Sequence, residues 1–218
     1  MKILAILASP RKNKSNTLGL LKEVLSVVGG EGFAEEIIHL CDYKIEFCRH
    51  CEACHKNILS CPIKDDVCLL QQKMLEANAI VFASPVYIHH ITGHLKNLLD
   101  RSSHFIHCQR LLGKYVVAIA TSGGGPHEMV LDYMRDYALA CGAQYVGGVS
   151  SAIPITKEVK NKAKNLGVAL VEAINKKKMF PVEQATIQAR RGYFKKVIEA
   201  MKDDWAGEYR YWKEKGWI

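Results

Sequence analysis

The chain has 218 residues, 49% of them hydrophobic, and carries 30 Lys and Arg against 22 Asp and Glu, a formal charge of +8. That is enough for one well-buried domain with an appendage, and no segment approaches the roughly 18–20 uninterrupted apolar residues of a membrane span. Residues 176–218 hold eleven Lys/Arg and six Asp/Glu; because the two signs are interleaved, they read as a solvated arm or a field for anionic substrates rather than a nucleic-acid surface.

In chain order, Lys2–Ala8 is a continuous apolar run, as in a strand covered on both faces. Pro10-Arg11-Lys12-Asn13-Lys14 follows at once, with no small-residue cleavage site, so the run is read as a strand of a cytoplasmic protein rather than a signal peptide. Asn16–Val28 has Leu18, Leu21, Leu25 and Val28 on one helical face, with Gly29-Gly30 as a stop. Ala34–Leu40 suits a second strand. Asp65 or Asp66 is placed to cap a helix running to about Asn78. Ala79–Ser84 is a third strand, Thr92–His104 a helix, Tyr115–Thr121 a fourth strand, and His127–Cys141 a helix closed by Gly142. Gln144–Val149 is a fifth strand and Lys157–Lys176 a helix. Alternation of this kind predicts a parallel α/β sheet with right-handed crossovers. Beyond it lie one more helix, roughly Thr186–Asp203, and an aromatic arm of Trp205, Tyr209, Tyr211, Trp212 and Trp217. Such an arm needs a surface to cover, most simply a second subunit.

Three loops at the carboxyl ends of the predicted strands carry chemistry. Ser9-Pro10-Arg11-Lys12-Asn13-Lys14-Ser15-Asn16-Thr17 is rich in hydroxyls and amides and opens a helix N-terminus, which favours an anion. It matches neither the dinucleotide-binding glycine turn nor the ATPase phosphate loop. The second loop, Ser84 to Gly93, includes Pro85-Val86-Tyr87-Ile88-His89-His90. The third is Thr121-Ser122-Gly123-Gly124-Gly125-Pro126. An anion site, an apolar wall and a glycine turn suit a planar phosphorylated cofactor.

Together these loops resemble the flavodoxin-like NAD(P)H-dependent FMN reductases, over about residues 1–178. The resemblance implies a doubly wound five-stranded parallel sheet of order 2-1-3-4-5, with residues 179–218 as a C-terminal helical arm that forms oligomers. It implies phosphate contacts from Ser9, Arg11, Ser15, Asn16 and Thr17, and ring contacts from Pro85, Val86, Tyr87, Ile88, Ser122, Gly123 and Gly124. No side chain is singled out as catalytic. His89 and His90 read as exposed loop histidines at the mouth, and Lys96, Asp100 and Arg101 as a helix-end charge cluster.

Residues 47–62 hold a further motif, Cys48-x2-Cys51-x2-Cys54-x6-Cys61-Pro62. Thiolates this close can converge on one inorganic centre. An iron–sulfur cluster, zinc and free or redox-active thiols all remain open on spacing alone. Cys41, Cys68, Cys108 and Cys141 read as ordinary core residues. The run resembles a ferredoxin-type cluster motif and, ahead of Asp65-Asp66, the iron–sulfur flavoproteins. That likeness implies a [4Fe–4S] cluster on Cys48, Cys51, Cys54 and Cys61 passing electrons to FMN. The expected activity is FMN-dependent electron transfer from NAD(P)H or a reduced protein donor. The alternative is a carrier between protein partners such as ferredoxin, without direct NAD(P)H use. A homodimer or homotetramer is expected, with no nucleic-acid or membrane partner.

Overall fold

The computed structural model describes residues 1–218. Its five strands are β1 Lys2–Leu7, β2 Ala34–His39, β3 Ala79–Pro85, β4 Tyr115–Ser122 and β5 Gln144–Ala152. They hydrogen-bond in the order β2-β1-β3-β4-β5, every pairing parallel. The helices are α1 Asn16–Val28, α2 Ala53–Lys56, α3 Val67–Glu76, α4 Gly93–Asp100, α5 Ser103–His107, α6 Glu128–Ala140, α7 Lys157–Asn175, α8 Pro181–Ala200 and α9 Ala206–Glu214. No helix is long and apolar enough to cross a membrane.

The period of two along a strand sends alternate residues of β1 to opposite faces. Ile3, Ala5 and Leu7 pack beneath α1 and α7, whereas Leu4, Ile6 and Ala8 pack beneath α3, α4 and α6. With both faces covered, β1, β3 and β4 are almost wholly apolar. Edge strand β2 is different: its exposed flank carries Glu36, which pairs with Lys2 and Lys73 and blunts the edge. On the first face α1 and α7 meet closely, because a Cβ on Gly167 would lie 2.4 Å from the Val24 carbonyl oxygen.

The strand order reverses between β1 and β3, which opens a crevice at their carboxyl ends. The predicted Thr92–His104 helix is broken there. Thr92 caps α4 by accepting the Leu95 amide, but the chain turns at Arg101 and Ser102 before α5 begins. The Arg101 carbonyl accepts Gln71 Nε2 at 2.8 Å, and its guanidinium is drawn toward residues 46–65. These contacts fix Arg101 outside a continued helix.

The C-terminal region also departs from expectation. Pro181, pre-set for a first helical turn, starts α8 five residues before the predicted Thr186. Helices α8 and α9 then fold back on their own chain. Trp212 is fully buried with Cys108 and Ile198, and Phe194, Trp205, Tyr209, Tyr211 and Trp217 pack around them. Burial of the arm's central indole therefore needs no second subunit: Cys108 and the His107 carbonyl at the end of α5, with Ile198 of α8, supply the surface.

Candidate functional site

The loops after β1, β3 and β4 converge on one cavity of about 240 Å3 at the carboxyl edge of the sheet. Ser9, Arg11, Ser15, Asn16 and Thr17 line one end; Pro85, Val86 and Tyr87 form one wall, and Ser122 and Gly123 the other. Ile88 and Gly124 lie in an adjoining hollow of about 340 Å3, which shares Val86, Ser122 and Gly123 with the first. The structure thus brings together all twelve residues named from the three loops.

The first loop is shaped by its own caps. Ser15 Oγ accepts the Thr17 and Leu18 amides at 3.1 and 3.4 Å, which starts α1 where the sequence placed it. Thr17 turns back toward the sheet, and its hydroxyl lies 2.6 Å from that of Thr121. This contact ties the first loop to the end of β4. In the second loop, Tyr87 and His90 exchange backbone hydrogen bonds of 2.9 and 3.0 Å. The two residues between them, Ile88 and His89, both have positive φ, 47° and 62°. That is a tight turn normally given to Asn or Gly, held here by a β-branched residue. Ile88 is almost completely exposed, and both histidines are exposed at the mouth. In the third loop Gly124 and Gly125 have positive φ, so the glycines are required by the turn.

A second cavity, about 520 Å3, is lined by Cys48, Cys51, Cys54 and Cys61. None of its lining residues belongs to the first cavity. Three non-glycine residues of this loop, His50, Glu52 and Leu59, have positive φ, so the chain curls tightly around it. Cys48 and Cys51 are exposed, and Cys54 and Cys61 half-buried. Burial pushes the Cys54 thiol up to about 11. Of the other cysteines, Cys108 and Cys141 are buried, as expected of core residues, whereas Cys41 and Cys68 are only half-buried.

Arg101 anchors this loop. Its guanidinium donates to Cys61 Sγ at 3.1 Å, to both carboxylate oxygens of Asp65 at 2.8 and 3.2 Å, and to the Glu46 carbonyl at 2.7 Å. Burial alone would raise Asp65; the Arg101 guanidinium and the Glu46 and Val67 amides outweigh it and hold the carboxyl below its ordinary value. Asp66 precedes α3 without a side-chain cap bond, and Asp65 accepts the Val67 amide at 3.2 Å; across the loop Asp66 accepts the Lys44 amide and Asp65 the Glu46 amide, at 2.7 and 2.9 Å. Lys96 and Asp100 form an ion pair one turn apart on α4.

Several residues of the two cavities were not marked as site residues by the sequence. Thr121 and Ile153 line the first cavity. His55, His107 and Trp205 line the second, behind which lies the fully buried Glu208 of α9. Glu208 Oε1 is 2.5 Å from His55 Nδ1, and Oε2 is 3.1 Å from His107 Nδ1. A carboxylate only accepts, so both Nδ1 atoms carry protons. Burial would raise Glu208, but its hydrogen bonds to His107 and His55 prevail and keep it below its ordinary value. The Trp205 indole stacks on both imidazoles, at 4.5 and 4.8 Å between centroids. His107 and His55 lie 101 and 153 positions before Glu208, so only folding of the arm brings them together.

A parallel sheet of this order, with the crevice at its switch point, defines the flavodoxin-like fold. An archaeal flavodoxin structure superposes with a TM-score of 0.55 and 14% identity, over 80% of this chain and 99% of that one. The model of the NADPH-dependent FMN reductase family matches residues 1–158, and the chain belongs to that family. Its curated relatives lie in the iron–sulfur flavoprotein branch. One iron–sulfur flavoprotein of Archaeoglobus fulgidus is 32% identical over the whole of both chains. Another from the same organism is 49% identical over 102 residues, and that match spans about half of each chain, 47% and 49%.

Proposed function

We propose that the protein is an FMN-dependent oxidoreductase that moves electrons between a nicotinamide or reduced protein donor and an acceptor, with a cysteine-bound iron–sulfur centre as a second redox site. The observation that carries this reading is the convergence of the three loops on one cavity at the strand-order reversal. Family membership supports the same cofactor. FMN, when bound, supplies the capacity to accept hydride or single electrons. The chain's own residues would bind and orient it. Ser9, Arg11, Ser15, Asn16 and Thr17 would hold the phosphate, with the Arg11 cation and the α1 N-terminus opposing its charge. Pro85, Val86, Tyr87 and Ile88 would face one side of the ring, and Ser122, Gly123 and Gly124 would bring backbone amides close to it.

The residues of the second cavity fit a cluster by donor chemistry. Four thiols surround a common hollow, and Arg101 donates to one of them at 3.1 Å. Cys48, Cys51, Cys54 and Cys61 would be its ligands. The names of the relatives agree with this assignment. Exposed Tyr87, Ile88 and Ile153 at the flavin mouth support assembly as a homodimer or homotetramer.

The deciding experiment is anaerobic reduction of the full chain. Bleaching of the flavin by NADH or NADPH supports a reductase. Bleaching by a reduced one-electron protein donor alone, with nicotinamides inert, selects the carrier role, which the separate cysteine cavity favours. A protein reduced by neither donor contradicts both.

A further inference from the structure

We propose that the C-terminal arm completes the cysteine cavity from within the same chain, and that Glu208 is the positioning residue through which it does so. The inference rests on the reading of that cavity as a metal centre.

Three contacts grip the segment that follows Cys51 and carries Cys54. The first is Glu208, which holds His55, the residue after Cys54, and His107 of α5 on its two oxygens. The second is Gly207, which brings the backbone of α9 against α2: a Cβ there would sit 2.3 Å from the Lys56 carbonyl oxygen and 3.0 Å from that of His55. The third is Trp205, which covers both imidazoles and donates its indole N–H toward Glu52 Oε2 at 3.4 Å. Trp212 secures the far side by donating to the His107 carbonyl at 3.1 Å. Beyond these contacts, Cys54 Sγ lies 3.8 Å from Ser103 Oγ of α5. α2 is a single turn, and Glu52 before it sits in the left-handed region.

Glu208 is fully buried and has no Lys or Arg partner; its side-chain hydrogen bonds are to His55 and His107 alone. A buried carboxylate without its partners is strongly unfavourable. The two histidines are therefore held to it wherever the arm is docked, and Cys54 is held with them. A carboxylate behind the histidines next to a ligand set is the arrangement that orients ligands elsewhere, and its loss typically weakens metal retention about 10–100-fold.

The test uses the full-length protein, purified without oxygen, as wild type, Glu208→Gln and Gly207→Ala. Glu208→Gln keeps the shape but removes the charge; Gly207→Ala keeps the charge but pushes α9 off α2. FMN uptake serves as the check on folding, since the two cavities share no lining residue. Both variants should release iron to a chelator about ten-fold or more faster than wild type. In iron-free protein, Cys51 and Cys54 should be alkylated faster by a similar factor. Only Glu208→Gln should shift the midpoint potential of the retained centre, upward, because a nearby negative charge is lost. Wild-type release and alkylation rates in both variants overturn the proposal, as does an unshifted potential in Glu208→Gln. If wild type binds no iron, the metal-centre reading falls, and the alkylation rates alone decide whether the arm holds the loop.

Discussion

Arg101 and Cys61 are 40 residues apart, yet the guanidinium Nη2 donates to the sulfur at 3.1 Å. The same guanidinium forms a two-oxygen pair with Asp65, and both side chains are sealed from solvent. The cysteine loop is thus fastened to the end of α4 by a buried ion pair. Asp65→Asn leaves the guanidinium without its counter-charge. It should destabilise the fold by about 3–5 kcal/mol, measured as a lower urea midpoint.

The same pair sets an acid limit. Asp65 and Glu208 both titrate below their ordinary values in the fold. Their contributions are fully present above the unfolded carboxylate range, near pH 4. They are lost as pH falls through the lowered folded values. Urea midpoints of wild type and Asp65→Asn should therefore differ at pH 7 and converge in strong acid. A constant difference across that range would contradict the role given to the pair.

His104 should act at milder pH. It is 1% exposed, neither ring nitrogen has a partner, and burial lowers its pKa to about 3. The folded chain keeps it neutral while the unfolded chain protonates it near pH 6.5. Stability should thus decline as pH drops below about 6.5, by at most about 1.4 kcal/mol per unit from this residue, until its folded value is reached. His104→Phe should flatten that part of the stability profile.

Thr17 and Thr121 make a different prediction, because their hydroxyls satisfy each other in a buried contact. Thr17→Val or Thr121→Val alone strands one hydroxyl and should cost about 1–3 kcal/mol, whereas the double variant should recover most of it. All three should bind FMN more weakly, since both residues line the first cavity. A double variant no more stable than the sum of the single losses would show that the pair is not coupled.

The strained turn supplies a fourth test. Ile88 at φ 47° stores about 1–3 kcal/mol. Ile88→Gly should raise the melting temperature by a few degrees while loosening FMN. An unchanged melting temperature would remove strain from the description of this loop.

The sheet was legible because both of its faces are buried: continuous apolar runs marked β1, β3 and β4, and α1 was placed to the residue by its apolar face and the Gly29-Gly30 stop. The three flavin-type loops were legible because each lies next to a strand end in sequence. Thr121 was quoted only as the start of its loop, since its pairing with Thr17 spans 104 positions. The break in the Thr92–His104 helix was hidden for a related reason. It depends on Arg101 reaching Asp65 and Cys61, and helical periodicity runs through it unbroken. The aromatic arm showed that it needed cover but not where. Its buried carboxylate, Glu208, looked like any charge in a solvated basic arm until α9 met His55 and His107.

The most direct measurement is an equilibrium titration of flavin-free, full-length protein with FMN and, in parallel, with riboflavin. Wild type should bind FMN saturably at one per chain. Arg11→Glu, an exposed change at the proposed phosphate end, should weaken FMN about ten-fold or more through charge repulsion and leave riboflavin unaffected. Absence of saturable FMN binding by wild type, or an equal effect of Arg11→Glu on both ligands, would contradict the flavin site built from the Ser9, Pro85 and Ser122 loops.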